Sequence, residues 1–171
     1  MSKLKPNMYK KDIYSINYKK LKEMEIEYLF FDLDNTIISY NEKNVSDRVI
    51  NLFNELTKMG FKCFIFSNSH FERLKPFKEK LGVDIYYGSM KPLKKNYKKV
   101  INKYDKDKCA FIGDQFMTDV IGAKRNNLFV ILVDQIENDE PIYTRFWRFF
   151  EGFILRKYKR KNIFEKGNYY E

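Results

Sequence analysis

The residues with the clearest potential for chemistry lie in one short acidic motif, residues 32–36, which reads DLDNT. It directly follows an apolar run, residues 28–31 (YLFF), whose length and aromatic content predict a buried parallel strand. Asp32 and Asp34 are two residues apart, so in extended backbone both carboxylates leave the same face of the strand end. Two carboxylates this close repel each other unless a cation or a shared proton intervenes. The motif is therefore typical of a site that binds a metal ion and a phosphate group.

The elements that must position these acids can be predicted from hydrophobic periodicity. The pattern predicts strands at 28–31, 61–66, 84–87, 108–112 and 129–133, and helices at 18–24, 46–60, 70–81, 91–104 and 118–126. Alternating strands and helices with connections of this length predict an α/β fold, in which helices cover both faces of a five-stranded parallel sheet. The 171 residues suit a single domain, 1–171, with its core at about 26–134.

Two of these helix starts are predicted from local signals. Pro92 is expected at the first position of the helix that begins near Lys91. Ser69 and Glu72 have the spacing of a capping box, which places His70 in the first turn of the helix at 70–81. We interpret His70 as a surface residue near the site and not as a catalytic base.

Polar side chains also follow the other predicted strands. Ser67 and Asn68 come after the second strand, Lys91 follows the third, and Asp114 and Asp119 follow the fourth. Each has a structural alternative, such as a helix cap, a turn or a solvated lysine. However, ligands of open α/β sheets bind beyond the carboxyl ends of the strands. Acids, a hydroxyl and a cation that meet at this edge therefore predict one catalytic site.

The order and spacing of these residues resemble four motifs of the haloacid dehalogenase (HAD) superfamily: Asp32-x-Asp34-x-Thr36, Ser67, Lys91 and Gly113-Asp114-x4-Asp119. Four motifs at the ends of the right strands are far more specific than a lone DxDxT. The resemblance covers about residues 26–134. It implies a three-layer, Rossmann-like HAD fold and a Mg²⁺-dependent phosphatase, that is, a phosphoric monoester hydrolase.

The resemblance also implies a role for each catalytic residue. Asp32 would be the nucleophile that takes the phosphoryl group as an aspartyl phosphate. Asp34 would protonate the leaving oxygen and then activate water. Ser67 and the backbone N–H of Asn68 would bind the transferring oxygens, while Lys91 would neutralise their charge and hold the nucleophile in place.

The same resemblance implies a magnesium site made of oxygen ligands. The Asp32 carboxylate, the backbone carbonyl of Asp34 and Asp114 would hold Mg²⁺. Asp119, which belongs to the same predicted metal site, would orient these ligands more than it binds the ion directly. Thr36 is expected to contribute to phosphate binding.

The spacing between the motifs leaves no room for the cap domain that many members of this superfamily carry. About 30 residues separate Asp34 from Ser67, and 24 separate Ser67 from Lys91, which is little more than one helix and one strand each. We therefore expect an open site without a cap. Such a site suits a phosphate at the end of a large or surface-bound molecule, or a partner subunit that acts as the lid.

The basic excess of the chain lies at its two ends. The net charge is +10, and residues 1–25 carry seven basic and three acidic side chains, while residues 143–171 carry eight and three. An anionic surface, either lipid or nucleic acid, would therefore contact these ends. The sequence has no apolar run of about 20 residues and no secretory signal, which predicts a cytoplasmic protein with peripheral membrane association as an option.

A narrower resemblance extends over nearly the whole chain. Pro6-x-x-Tyr9, the segment 113–120 and Thr144-Arg145-x-x-Arg148-x-x-Glu151 resemble the YqeG-type branch of the superfamily. That branch is similar to the phosphatidylglycerophosphate phosphatases of mitochondria and bacteria. It implies hydrolysis of phosphatidylglycerophosphate to phosphatidylglycerol.

The C-terminal segment has an apolar stripe at helical spacing: Phe146, Phe149, Phe150, Phe153 and Ile154. Basic side chains flank it. Such a helix either packs its aromatic face on the domain's own sheet or lies in a membrane interface, and both can be partly true.

Two further functions are open at this point. One keeps the chemistry but changes the substrate to a soluble sugar or nucleotide phosphate, or to a nucleic-acid end, because basic and aromatic side chains together can bind a phosphate backbone. The other is a non-enzymatic nucleic-acid or ribosome-binding module that keeps only the fold. The paired acids Asp32 and Asp34 argue against the module, because binding alone does not require them.

Overall fold

The computed structural model describes residues 4–137 and 142–171, with the side chains of all of these except 142–148. The strands of the described chain are β1 (Met8–Lys10), β2 (Tyr28–Phe31), β3 (Lys62–Phe66), β4 (Asp84–Tyr86), β5 (Cys109–Gly113) and β6 (Phe129–Val133). The α-helices are α1 (Tyr18–Glu23), α2 (Asp47–Lys58), α3 (Phe71–Leu81), α4 (Lys94–Ile101), α5 (Ile121–Lys124) and α6 (Ile142–Arg160).

The strands form one parallel sheet in the order β1-β6-β5-β2-β3-β4. Successive side chains of a strand point to opposite faces, and β2 illustrates this. Phe31 contacts Phe53 of α2, with 5.1 Å between ring centroids, while Phe30 stacks on Phe64 of β3 at 4.7 Å. Helices α1, α2 and α3 pack on the first face and α4, α5 and α6 on the second. The predicted three-layer α/β/α fold is confirmed.

The sheet has one strand more than the five that the sequence predicts. Strand β1 lies within the basic N-terminal segment and pairs in parallel with β6, with Met8 opposite Ile131. On its other side, Tyr9 exchanges two backbone hydrogen bonds of 2.9 and 3.0 Å with Tyr170. A strand of three residues is too short for its periodicity to be recognised. Its pairing depends instead on partners that are distant in sequence.

Two helices begin or continue differently from the prediction. Helix α4 begins at Lys94, so the prediction that Pro92 occupies its first position is wrong. Lys91 and Pro92 belong to the preceding loop and are joined by a cis peptide bond. The region 118–126 is not one continuous α-helix. A π-helical turn, Phe116–Val120, precedes the short helix α5.

The described chain contains no inserted cap domain, as predicted. The connection from β2 to α2 holds only residues 32–46, and the one from β4 to α4 holds only residues 87–93. The carboxyl ends of the central strands are therefore not covered by a second domain within the described residues. Among the helices described, none has the length and apolar character needed to cross a bilayer.

Of the two alternatives for the aromatic stripe of helix α6, packing on the domain holds only in part. Among its described side chains, from residue 149 onward, Glu151 and Tyr158 are buried, and the Tyr158 ring meets Phe116 edge-on at 5.6 Å. In contrast, Phe149 is 63% exposed and Phe153 is 54% exposed. These members of the aromatic stripe do not pack on the domain, whereas Ile154 does so in part. The side chains of Phe146, Thr144, Arg145 and Arg148, which the sequence analysis also singled out, lie outside those described.

The buried ring of Tyr9 provides a test of whether β1 belongs to the cooperative core. Tyr9 is 1% exposed and packs on Phe164 and Tyr169 at centroid distances of 5.2 and 4.9 Å. Replacing Tyr9 by Ala should lower the free energy of unfolding by about 3–5 kcal/mol, as is usual for a buried aromatic residue. Urea denaturation measures this, and Tyr87→Ala, at a 56% exposed position, is the matched control. Equal losses in both variants would mean that β1 is not part of the cooperative core.

Candidate active site

The candidate site lies where the strand order of the sheet reverses, at the carboxyl ends of β2 and β5. Chain connections leave β2 toward β3 on one side, and β5 lies on its other side, which is the usual position of ligand sites in open α/β sheets. Phe31 pairs with Ile112, and the Asp32 N–H donates to the Ile112 carbonyl at 2.8 Å. The two strands therefore end at the same level, so that Asp32 and Asp114 emerge side by side.

Three carboxylates meet at this point. One oxygen each from Asp32, Asp114 and Asp119 lies within 4.8 Å of the other two, and all three residues are buried. Asp119 packs directly over Gly113, where an added Cβ would lie 2.4 Å from Asp119 Oδ2. Residue 113 must therefore be glycine for this acid to reach the site.

Within the described part of the chain, one buried cation contacts this cluster. Lys91 Nζ lies 2.7 Å from Asp32 Oδ1 and 2.7 Å from Asp119 Oδ1, and the Lys91 side chain is only 2% exposed. Burial by itself lowers the pKa of Lys91, but Asp119 and Asp32 outweigh this effect and raise that pKa above its ordinary value. The ammonium group is therefore charged at neutral pH.

One ammonium group does not balance three carboxylates. Burial raises the pKa of Asp32 well above its ordinary value; Lys91 opposes this shift, and the charges of Asp119 and Asp114 reinforce it. A further cation beside Asp32 and Asp114 would favour the ionised form. The donors are carboxylate oxygens only, and this is the ligand chemistry that Mg²⁺ prefers. The donor set therefore fits the predicted ion.

The position of Lys91 is fixed by a side chain that follows β3. Asn68 Oδ1 accepts a 2.6 Å hydrogen bond from the Lys91 backbone N–H, and Asn68 Nδ2 donates to the Lys91 carbonyl at 3.3 Å. This role of the Asn68 side chain was not predicted from the sequence, from which only its backbone N–H was expected to act. Ser67 is buried beside it, and its hydroxyl accepts from the Ser69 N–H at 3.1 Å.

Thr36 and Asp119 contact the acidic cluster in different ways. The Thr36 hydroxyl donates to Asp114 Oδ1 at 3.1 Å, which orients that carboxylate; its phosphate contact stays a prediction. Asp119 Oδ2 accepts from the Gln115 N–H at 3.0 Å, while Oδ1 contacts Lys91. With both oxygens engaged, Asp119 is better placed to orient the other groups than to bind a metal ion.

The Asp34 carboxylate lies outside the three-acid cluster and has its own partners. Ser69 Oγ donates to Asp34 Oδ2 at 2.6 Å, and Arg73 donates to Oδ1 from Nη2 at 2.9 Å and from Nε at 3.2 Å. The Asp34 backbone carbonyl, which is the predicted metal ligand, stays a prediction. The two acids of the first motif therefore differ in their surroundings.

The contact of Ser69 with Asp34 corrects the capping-box prediction. The N-cap position of α3 is His70, without a side-chain capping hydrogen bond, and the Ser69 hydroxyl is directed to Asp34 instead. Arg73 was missed altogether. No local sequence pattern indicates its contact with Asp34, because the two residues are 39 positions apart in the chain.

Helix α6 contacts the segment that carries Asp119. The buried Glu151 Oε2 accepts a 3.0 Å hydrogen bond from the Phe116 N–H, at the start of the π-helical turn, and Glu151 Oε1 lies 3.4 Å from Lys166 Nζ. Glu151 was quoted in the narrower resemblance without a role. The structure gives it one, since it fixes the start of this turn.

Comparisons with known proteins show which family this chain belongs to. A family model described as haloacid dehalogenase-like hydrolase matches residues 39–127. The chain is 37% identical over 158 residues to "Probable phosphatase YqeG" of Bacillus subtilis (strain 168), and the match covers 91% of this chain and 92% of that protein.

One solved structure shares the fold at low sequence identity, and a second is less similar. An uncharacterized protein from Listeria monocytogenes serotype 4b has a TM-score of 0.53 and 19% identity, covering 68% of this chain and 86% of that one. The cobalt-bound deoxy-D-mannose-octulosonate 8-phosphate phosphatase (YrbI) from Haemophilus influenzae has a TM-score of 0.48 and 14% identity, covering 67% and 81%. The sequence matches, and not these distant likenesses, establish the family. The chain belongs to the haloacid dehalogenase-like hydrolases, as its motifs indicated, and the prediction that it is a hydrolytic enzyme is confirmed.

Proposed function

We propose that this enzyme is a Mg²⁺-dependent phosphatase that hydrolyses phosphatidylglycerophosphate to phosphatidylglycerol through an aspartyl-phosphate intermediate. The observation that carries the chemistry is the different setting of the two acids of the first motif. Asp32 contacts a buried ammonium group within an anionic cluster, whereas Asp34 contacts Ser69 and Arg73 outside that cluster. In such a pair, one carboxylate can act as the nucleophile and the other as the general acid and base.

In the first step, a carboxylate oxygen of Asp32 attacks phosphorus and the bond from phosphorus to the leaving oxygen breaks. Asp34 gives its proton to that oxygen. In the second step, Asp34 takes a proton from water, the water oxygen attacks phosphorus, and the bond to Asp32 breaks, which releases phosphate. Lys91 holds Asp32 by the 2.7 Å contact and neutralises negative charge on the transferring group.

The remaining site residues bind and orient the reacting groups. Ser67, the backbone N–H of Asn68 and Thr36 are the groups we assign to the phosphoryl oxygens. The Asp32 carboxylate, Asp114 and the backbone carbonyl of Asp34 would hold Mg²⁺. When bound, the ion would supply the positive charge that lets an anionic nucleophile approach an anionic phosphate. Asp119 orients Lys91 and the acidic cluster.

The open site and the exposed face of α6 support a lipid substrate. Phe149, Phe150 and Phe153 are 63%, 43% and 54% exposed, and the Arg156 guanidinium lies 4.8 Å from the Phe153 ring centroid. The last turn of α6 adds Lys157, Lys159 and Arg160. A helix with exposed aromatic rings and adjacent cations suits the interface of an anionic membrane. The enzyme would then bind its membrane peripherally.

Replacing the nucleophile tests the chemistry. Asp32→Asn should lower the rate of phosphate release at least about 10³-fold, because the amide cannot form the aspartyl phosphate. Release of inorganic phosphate from phosphatidylglycerophosphate vesicles and from p-nitrophenyl phosphate measures this. The matched control is Asp84→Asn, the same substitution at an exposed position on β4. An Asp32→Asn variant as active as this control would exclude the proposed mechanism.

Removing the metal tests the role of the acidic cluster. With Mg²⁺ at about 100 times its dissociation constant, binding should add about 2.7 kcal/mol of stability, or roughly 5–10 °C in Tm. Asp114→Asn should lose most of this shift, while Asp84→Asn should keep it. Thermal unfolding with Mg²⁺ and with EDTA provides the measurement. A shift of equal size in Asp114→Asn would show that the ion binds elsewhere.

Removing two exposed rings tests the lipid substrate. The double variant Phe149→Ser/Phe153→Ser should bind anionic vesicles with an affinity at least about tenfold lower, because apolar area is lost from the interface. Its turnover of phosphatidylglycerophosphate vesicles, relative to p-nitrophenyl phosphate, should fall accordingly. Vesicle co-sedimentation and phosphate release are the measurements, and Tyr87→Ser is the control at another exposed aromatic position.

Two results would contradict the assignment of a lipid substrate. Turnover of soluble sugar or nucleotide phosphates without turnover of the lipid would reject the lipid assignment and keep the chemistry. Salt-sensitive binding to RNA, with no vesicle binding at the same ionic strength, would favour a nucleic-acid end.

A further inference from the structure

A cleft of about 490 Å³ lies beside Asp34, between the loop that follows β2 and the start of α3. Its size is within the range of small-ligand sites. The residues that line it are Tyr40, Asn41, Lys43, Ser69, His70 and Arg73. The mechanism described above does not use this cleft.

The cleft adjoins the acid that would protonate the leaving oxygen. Two of its lining residues, Ser69 and Arg73, are the partners of the Asp34 carboxylate, at 2.6 and 2.9 Å. In the proposed function, the leaving oxygen must contact Asp34 to receive a proton. The rest of the leaving group therefore has this cleft next to it.

Among the described residues, those that line the cleft include basic side chains and no acidic one. Lys43 and His70 are exposed, and neither side chain makes a hydrogen bond or an ion pair with any residue in the described part of the chain. Arg73 adds a third basic group. Its donors are directed to Asp34 and to the carbonyls of Ser39, Tyr40 and Glu42, so it fixes the walls of the cleft.

The N-terminus of α3 adds positive potential to the cleft. Ser69 and His70 precede this helix of 11 residues, so its positive dipole end faces the cleft. Together with Lys43, this makes two independent sources of positive potential.

None of the nearby acids is among the described residues that line the cleft. The Glu42 carboxylate accepts a 3.1 Å hydrogen bond from the Ser39 N–H within its own loop. Glu72, in the first turn of α3, is not among the lining residues. Asp34 is paired with Arg73. An anion would therefore find Lys43 and the start of α3 available.

We infer that this cleft binds a second phosphate group, located on the leaving-group side of the substrate. The inference rests on the proposed function and makes it more specific, because the enzyme then selects phosphomonoesters that carry another phosphate a few bonds away. In phosphatidylglycerophosphate, a phosphomonoester and a phosphodiester occupy opposite ends of one glycerol unit. A soluble bisphosphorylated polyol offers the same chemistry.

Three substrates separate the contributions of the second phosphate and of the lipid. Glycerol 3-phosphate carries the phosphomonoester alone, glycerophosphoglycerol phosphate adds the phosphodiester without acyl chains, and phosphatidylglycerophosphate in vesicles adds the lipid. The wild type should prefer the second substrate to the first in kcat/KM, mainly through a lower KM. Lys43→Met should reduce this preference about tenfold, which is typical of one charge-assisted contact, and Lys43→Met/His70→Gln should reduce it further.

The matched control is Lys80→Met, the same change at an exposed position in the last turn of α3. It should keep the wild-type preference. A wild type that shows no preference, or an equal preference in Lys43→Met and Lys80→Met, would overturn the inference. If Lys43→Met loses kcat/KM equally on the deacylated and on the lipid substrate, this would support recognition of the phosphodiester itself. A higher kcat/KM on vesicles than on the deacylated substrate would then identify the lipid as the source of the phosphodiester. Equal kcat/KM values on the two substrates would identify a soluble molecule as that source.

A binding measurement separates failure of the inference from failure of the proposed function. Absence of turnover of all three esters would overturn the phosphatase proposal. Calorimetric titration of Asp32→Asn with glycerophosphoglycerol phosphate and with glycerol 3-phosphate tests the cleft independently of turnover. Tighter binding of glycerophosphoglycerol phosphate, which disappears when Lys43→Met is added to Asp32→Asn, would support the second-phosphate site. Equal binding of both ligands would exclude it.

Discussion

The buried ammonium group of Lys91 is the constraint on which the site depends. Three carboxylates cannot stay ionised within a few ångströms of one another in a buried position unless positive charge lies among them. Lys91 supplies that charge through two contacts of 2.7 Å. Asn68 holds the Lys91 backbone, so Lys91 joins the end of β3, the loop before α4, Asp32 after β2 and the turn after β5. The parallel sheet matters for function because it brings these four segments to one edge.

The second constraint is the separation of the two acids in the first motif. Asp32 and Asp34 leave the same strand end, yet one contacts Lys91 and the other contacts Ser69 and Arg73. The backbone makes this possible by turning sharply at Asn35, whose φ is +63° and whose N–H donates to the Ile38 carbonyl. Asn is among the few residues that adopt such a left-handed conformation readily. Because their partners differ, the two carboxylates can take different roles in one reaction.

The sequence predicted what depends on local pattern and on sheet geometry. The bounds of β2 and β6 were right because both strands are continuous apolar runs. The meeting of Asp32, Lys91, Asp114 and Asp119 was right because parallel strands end at a common edge. The failures involve distant partners. Strand β1 depends on Tyr170, and Ser69, interpreted as a helix cap, has Asp34 as its partner. Arg73 has no local signal, since its function depends on a loop more than 30 residues earlier in the chain.

The absence of a cap changes what the rest of the fold has to provide. A capped enzyme can exclude water and select its substrate by closing a domain, but the described part of this chain has no such domain. Selection must then come from surfaces that are already in place. Helix α6 offers one of them: its inner face fixes the start of the turn that carries Asp119 through Glu151, while its outer face exposes Phe149 and Phe153. Because one rigid helix carries both faces, attachment of the outer face to a membrane would hold the catalytic edge at a fixed orientation to the lipid headgroups. In the proposed function, such attachment replaces closure as the means of bringing substrate and site together.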